Sequence, residues 1–137
     1  MKWNFLIVED DKVYAMKLSS WLKEYDGEIE LCETAERGAH VVATKQPTIV
    51  FLDNKLPKLD GREVVRYYKE LSPKTVIIMM STAFTIEDIS ESKENGADFL
   101  FDKLDTDKDD IGDILDVVES SKGSEQNFWN LWPRKKS

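Results

Sequence analysis

Thr48-Ile49-Val50-Phe51-Leu52-Asp53-Asn54-Lys55-Leu56-Pro57-Lys58-Leu59-Asp60-Gly61 is the stretch on which the fold turns. Ile49 to Leu52 are all apolar and partly β-branched, the pattern of a strand buried on both faces. One carboxylate, Asp53, ends the run. Pro57 and Asp60-Gly61 then break the chain before a helical pattern that starts at about Arg62. Asp53 is therefore expected at the carboxyl end of a central parallel strand, the edge where open α/β sheets gather ligands and chemistry. By itself, an aspartate there reads equally well as a loop cap.

Working outward, the same alternation recurs. Trp3 to Val8 read as a first strand that runs straight into Glu9-Asp10-Asp11. Val13, Tyr14, Met16, Leu18, Trp21, Leu22 and Tyr25 recur at helical spacing until Asp26-Gly27 stops them. Glu28 to Cys32 alternate as a short strand. Thr34 caps a second helix to about Lys45, without a capping box because Arg37 stands at the reciprocal position, and Gln46-Pro47 ends it. A third helix covers about Arg62 to Leu71, with Val64, Val65, Tyr67, Tyr68 and Leu71 as its apolar positions. Thr75 to Met80 form a continuous apolar strand ending at Ser81. The next helix, about Thr85 to Glu94, has a thin stripe of Ile86 and Ile89, and is expected to be the least firmly held. Asn95-Gly96 closes it, Asp98 to Asp102 form a strand ending at Lys103, and a last helix runs from about Asp107 to Ser121 on Ile111, Ile114, Leu115, Val117 and Val118. The pattern is (βα)5, an α/β fold whose parallel sheet carries helices on both faces. Residues 1–121 are expected to form one domain, with residues 122–137 as a tail outside the pattern.

Composition narrows the function classes. With 41% hydrophobic and 34% charged residues among 137, the chain suits a globular domain with a real core. No apolar run approaches the ~20 residues of a membrane span, and residues 1–8 read as a strand and not as a signal peptide. A single cysteine, Cys32, excludes an internal disulfide and is compatible with a reducing cytoplasm. The formal net charge of −8 argues against nucleic acid and anionic membranes as partners. The only basic cluster, Arg134-Lys135-Lys136, lies at the extreme end.

Four strand ends deliver polar groups to one edge: Glu9 and Asp10, Asp53, Ser81, and Lys103. Three carboxylates held together repel one another, and a hard cation relieves that repulsion. Oxygen-only donors favour Mg²⁺ or Mn²⁺ over zinc. A metal, an ammonium and a hydroxyl together can neutralise a phosphoryl group in transfer, with Asp53 as the nucleophile.

This set resembles the response-regulator receiver domain of two-component signalling, of the single-domain type. The resemblance covers about residues 3–121. It rests on Val8-Glu9-Asp10-Asp11, on Leu52-Asp53 with Leu56-Pro57 and Asp60-Gly61, on Ser81-Thr82, on Gly96-Ala97 and on Lys103. It implies a flavodoxin-like sheet with strand order 2-1-3-4-5. It implies that Asp53 accepts a phosphoryl group from a histidine kinase or phosphotransfer protein. Asp10 and Asp53 would bind Mg²⁺ together with the backbone carbonyl of Lys55, Glu9 would act on the metal through water, and Lys103 and Ser81 would contact the phosphoryl oxygens. Output would be a downstream protein target bound through the fourth helix, fifth strand and fifth helix. The domain would be a cytoplasmic signalling phosphoacceptor and not an enzyme, a monomer or weak dimer.

Departures from the family pattern set further expectations. Leu104 stands where the family has proline after its lysine, and a non-proline cis bond costs ~3–4 kcal/mol, so the Lys103–Leu104 bond is expected to be trans or strained. Leu100 occupies the position of an aromatic switch residue, flanked by Phe99 and Phe101. Any switch would then use the packing of Leu100 or movement of a flanking phenylalanine. Ala83 cannot position a hydrolytic water and Lys55 could cover the phosphoryl group, which predicts slow self-dephosphorylation. His40, the only histidine, reads as an ordinary helix residue. Asp109, Asp110, Asp113, Asp116 and Glu119 read as a solvated face. The tail residues Phe128, Trp129, Leu131 and Trp132 either pack back on the domain, dock a partner or begin a linker.

Rival readings follow from the same residues. A haloacid-dehalogenase-like phosphatase needs a second aspartate two residues past its nucleophile, where this chain has Lys55. A flavodoxin-like cofactor binder needs a first loop that welcomes phosphate, which Glu9-Asp10-Asp11 repels. A degenerate, unphosphorylated receiver acting as a docking module, and an N-terminal fragment of a longer regulator, both stay open.

Overall fold

The computed structural model describes residues 2–56 and 59–121, with backbone alone at residues 59–62. The chain alternates from its start: β1 (Trp3–Val8), α1 (Lys12–Leu22), β2 (Gly27–Cys32), α2 (Ala35–Lys45) and β3 (Ile49–Asp53). After β3 come two short segments, β4 (Lys55–Leu56) and β5 (Leu59–Asp60), then α3 (Gly61–Leu71), β6 (Val76–Ser81), α4 (Ile86–Glu94), β7 (Phe99–Asp102) and α5 (Lys108–Ser120). The five long strands form one parallel sheet in the order β2-β1-β3-β6-β7. Counted within that sheet alone, this is the expected order 2-1-3-4-5.

β3 is buried throughout because it lies between β1 and β6 and is covered on both faces. Ile49 and Phe51 face the side of α1 and α5, packed with Phe5, Leu18, Phe99 and Ile114. Val50 and Leu52 face the side of α2 and α3, packed with Val41, Val65, Tyr68 and Leu100. Alternate side chains thus enter different cores, which is why the strand reads as a continuous apolar run. The Tyr68 hydroxyl donates to the Ala35 carbonyl at 2.7 Å and ties α3 to the start of α2. Cys32 is buried and His40 is exposed.

Capping follows the sequence closely. Thr34 caps α2 through its hydroxyl, which accepts from the Arg37 amide at 3.2 Å, and Gln46 ends that helix in the left-handed region with φ 46°. Thr85 and Asp107 each form a full capping box, with Asp88 and Asp110.

The differences lie in which helix faces are inward. α1 buries Tyr14, Ala15, Leu18, Ser19 and Leu22, whereas Val13 and Met16 point to solvent. Those two apolar residues lie off the stripe that meets the sheet. Tyr67 on α3 is exposed for the same reason. On α4, Ile86 and Ile89 also face outward, and among its side chains only Ser92 is buried. α4 is therefore the helix with the least apolar anchorage. The β4–β5 pair escaped prediction because two-residue strands carry no period to read.

A candidate phosphoryl-transfer site at the carboxyl edge of the sheet

Parallel strands ending in register bring the four polar strand ends together. β1 stops at Val8, so Glu9 follows at the sheet edge, held by its amide on the Cys32 carbonyl at 2.9 Å. Asp53 is the last residue of β3, with Met80 of β6 as its register partner. Ser81 ends β6 opposite Asp102 of β7. The Lys103 amide donates to the Ser81 carbonyl at 2.8 Å, one residue past β7, and so draws the lysine to the same edge.

The side chains converge. Carboxylate oxygens of Glu9, Asp10 and Asp53 all lie within 4.8 Å of one another, with Glu9 and Asp53 buried and Asp10 exposed. The Lys103 ammonium pairs directly with Glu9 Oε1 and lies 3.6 Å from Asp53 Oδ2. Asp53 Oδ1 accepts from the Lys55 amide at 3.1 Å, and Glu9 Oε2 from the Asp11 amide at 3.2 Å. Asp11 in turn caps α1, accepting from the amides of Val13 and Tyr14.

Burial makes this cluster electrostatically tense. Desolvation pushes Glu9 up to about pKa 7, and the neighbouring Asp53 adds to the rise, while Lys103 opposes it. Two buried carboxylates beside an exposed third, all oxygen donors, suit a hard divalent cation better than any soft metal. The acidic cluster is thus consistent with divalent-metal binding.

Ser81 reaches the same edge, but its hydroxyl is engaged locally. It donates to the Ala83 carbonyl at 3.0 Å and accepts from the Ala83 amide at 3.2 Å. Leu100 is buried on the α2–α3 side, while Phe99 and Phe101 are buried on the α1–α5 side, so no aromatic ring occupies the Leu100 position. Lys55 is exposed beside Asp53. The tail with Trp129 and Trp132 lies outside the described residues.

Three residues belong to this site that sequence reasoning treated otherwise. Tyr14, read as part of a core face, places its ring 4.9 Å from Lys103 Nζ. Asp102, read as a strand end, accepts from the Leu104 amide at 2.8 Å through Oδ1. Asn54 is buried directly after Asp53, and its Oδ1 has no hydrogen-bond partner among the described residues. The Asp102 contact was open to discovery, since an aspartate two residues before an amide is the pattern of an Asx turn. The Tyr14 contact was not, since it joins residues from opposite ends of the chain.

Comparison with known proteins agrees with this geometry. The family model for the response regulator receiver domain matches residues 5–115. The regulatory protein LuxO of Vibrio cholerae is 29% identical over 103 residues, covering 74% of this chain and 23% of the relative. The cell cycle response regulator CtrA of Brucella ovis is 30% identical over 122 residues, covering 89% of this chain and 53% of the relative. This chain thus spans roughly a quarter to a half of these curated relatives. Among solved structures, the BeF3-activated receiver domain of DrrB, a Thermotoga maritima protein, aligns with TM-score 0.77 at 26% identity, over 88% of this chain and 99% of that one. A CheY-like receiver domain from Methanospirillum hungatei shares the fold with TM-score 0.82 at 24% identity, over 89% and 98% of the two chains. The family model covers most of the chain, and the fold delivers Glu9, Asp10, Asp53 and Lys103 to one edge: this protein belongs to the response regulator receiver domain family of two-component signalling.

Proposed function

We propose that Asp53 is the phosphoacceptor of this domain and that a histidine kinase or a phosphotransfer protein is the donor. The observation that carries the reading is the placement of Asp53, buried at the end of the central strand with a lysine ammonium 3.6 Å from Oδ2. The family is one of signalling phosphoacceptors and not of true enzymes, and its members interact with histidine kinases.

The chemistry is a phosphoryl transfer between nucleophiles. An Asp53 oxygen forms a bond to phosphorus while the bond from phosphorus to the donor's imidazole nitrogen breaks. The electron pair stays on the imidazole, which takes up a proton from solvent. The product is an acyl phosphate on Asp53. Lys103 neutralises charge on the phosphoryl oxygens, and Ser81 reaches them once its hydroxyl leaves the Ala83 carbonyl. Asp10, Asp53 and the Lys55 carbonyl would hold Mg²⁺ or Mn²⁺ directly, with Glu9 acting through water. Such a cation supplies charge neutralisation around the transferring group. A solved response regulator from Burkholderia pseudomallei with a similar fold carries a phosphorylated aspartic acid and a calcium ion, in keeping with this reading.

We assign residues 1–121 to the receiver unit and leave residues 122–137 outside it. Output passes to a protein target through the α4–β7–α5 face, where the outward Ile86 and Ile89 offer apolar contact. A degenerate receiver is the second reading, prompted by Leu104. The Asp102–Leu104 hydrogen bond counts against it, since it fixes the chain beside Lys103 without proline.

The test is intact-mass measurement after incubation with Mg²⁺ and a small-molecule phosphodonor, for the parent and for Asp53→Ala. One phosphoryl adduct, acid-stable, base-labile and absent from Asp53→Ala, is the expected result. No adduct with donor and metal in excess would establish the degenerate reading instead.

A further inference from the structure

We propose that Tyr14 is the positioning residue for Lys103, its ring confining the ammonium beside Asp53 in place of the backbone restraint that a following proline would give. This rests on the reading of Asp53 as phosphoacceptor and of Lys103 as the group that meets the phosphoryl oxygens. Lys103 Nζ sits 4.9 Å from the centre of the Tyr14 ring, within range of a cation–π contact. Both partners are withdrawn from water, Tyr14 at 9% exposure and the Lys103 side chain also at 9%, so the attraction is little screened. Glu9 pairs with the ammonium and Asp53 lies 3.6 Å away, so carboxylates and an aromatic face bound it together.

Position in the chain explains why a ring is useful there. Leu104, directly after Lys103, is 80% exposed, so its side chain offers little packing to hold the lysine. Asp102 holds the backbone at this point but does not touch the ammonium. Tyr14 stands in the first turn of α1, and Asp11 caps that helix by accepting from the Tyr14 amide at 3.2 Å. The ring is thus mounted on a rigid element, through the same acidic loop that carries Glu9 and Asp10. A long lysine side chain has many rotamers, and restricting them in advance reduces what must be ordered when the phosphoryl group arrives.

The ring and not the hydroxyl is the working part. The Tyr14 hydroxyl is buried with no hydrogen-bond partner among the described residues, unlike that of Tyr68, which bonds the Ala35 carbonyl. Removing an unpartnered hydroxyl leaves packing and the π-face intact. Tyr14→Phe therefore isolates the ring, and Tyr14→Leu removes it while still filling the core.

Two measurements test the assignment on the full chain. In rapid phosphorylation by acetyl phosphate at saturating Mg²⁺, Tyr14→Leu is expected to be slower by about tenfold, with Tyr14→Phe restoring the rate to within about twofold of the parent. Mg²⁺ affinity, read by titration calorimetry, should stay within about twofold in all three. A parent-like rate in Tyr14→Leu overturns the proposal, as does a Tyr14→Phe rate as low as that of Tyr14→Leu. The second measurement needs neither phosphorylation nor a folded variant. In the parent, the terminal methylene protons of Lys103 should be shifted upfield in NMR spectra by the ring above them, and unshifted protons also overturn it. If the parent forms no adduct at all, the phosphoacceptor reading fails while the NMR result still decides whether the ring holds the lysine.

Discussion

The Leu104 amide donates to Asp102 Oδ1 at 2.8 Å, a hydrogen bond that a proline at this position could not make. The next amide, Asp105, donates to the Asp102 carbonyl at 3.2 Å and closes the turn. Lys103 sits in the middle of this arrangement, so Asp102 sets the direction in which its side chain leaves the strand. Asp102→Ala is expected to slow phosphorylation by small-molecule donors by about threefold to tenfold. Asp102→Asn keeps an acceptor oxygen and should recover most of the rate. Because Asp102 is exposed, the melting temperature should fall by only a few degrees in either variant. Rates and melting curves on the two variants check this, and an unaltered rate in Asp102→Ala would mean that the turn does not place the lysine.

Stability should depend on pH through Glu9. Its carboxyl titrates at an ordinary 4.5 in the unfolded chain and at about 7 in the folded domain. Below pH 4.5 the group is protonated in both states. Between the two values the folded state keeps a proton that the unfolded state has lost, so stability falls as pH rises and levels off above about 7. Glu9→Gln removes that fall. In metal-free buffer it should match the parent at pH 4 and exceed it at pH 8 by on the order of 2 kcal/mol, measured by urea unfolding. A metal requires the ionised carboxylate, so Mg²⁺ affinity should climb with pH up to about 7 in the parent and vary less in Glu9→Gln.

The acyl phosphate should be long-lived. Ala83 offers only a methyl side chain beside the Ser81 hydroxyl, with no polar group to hold a water. Neither it nor the exposed Lys55 ammonium can serve as a base or orient a water for attack. Phosphate release after removal of the donor should take minutes or longer, and Ala83→Gln, which adds an amide able to hold a water, should shorten it severalfold. Complete release from the parent within seconds would contradict this account.

A stability prediction follows from the crossing of α2 and α3. A methyl group on Gly38 would collide with the Tyr68 hydroxyl and come within 2.9 Å of Val8 Cγ2. Gly38→Ala should cost about 1–3 kcal/mol despite the better helix propensity of alanine. In the double variant with Tyr68→Phe, part of that cost should return, because the colliding oxygen is gone. A double-mutant cycle in denaturant measures the coupling, and strict additivity would show that the hydroxyl is not the obstacle.

Different parts of this molecule were legible to different degrees. The long strands declared themselves because Ile49 to Leu52 and Ile77 to Met80 are buried on both faces, and burial on both faces leaves an apolar run. Glu9, Asp10, Asp53, Ser81 and Lys103 could be placed at one edge from the sequence because each stands at, or within two residues of, the end of a strand. Val13, Met16, Tyr67, Ile86 and Ile89 misled for the opposite reason: apolarity states a preference for burial, and only the placement of the sheet decides which side of a helix receives it. The contact of Tyr14 with Lys103 joins the first helix to the end of the last strand, and no local pattern encodes a meeting at that separation.

The shallow seating of α4 separates two kinds of inheritance in this chain. Ser92 is the only side chain that the helix buries, so the identities of Ile86 and Ile89 on its outer side are nearly free of folding constraint. The carboxylates and lysine at the sheet edge, by contrast, are locked to strands that cannot shift without losing the core. A lineage carrying this domain can therefore change the exposed residues of α4, one at a time, and leave the acidic cluster at the sheet edge untouched.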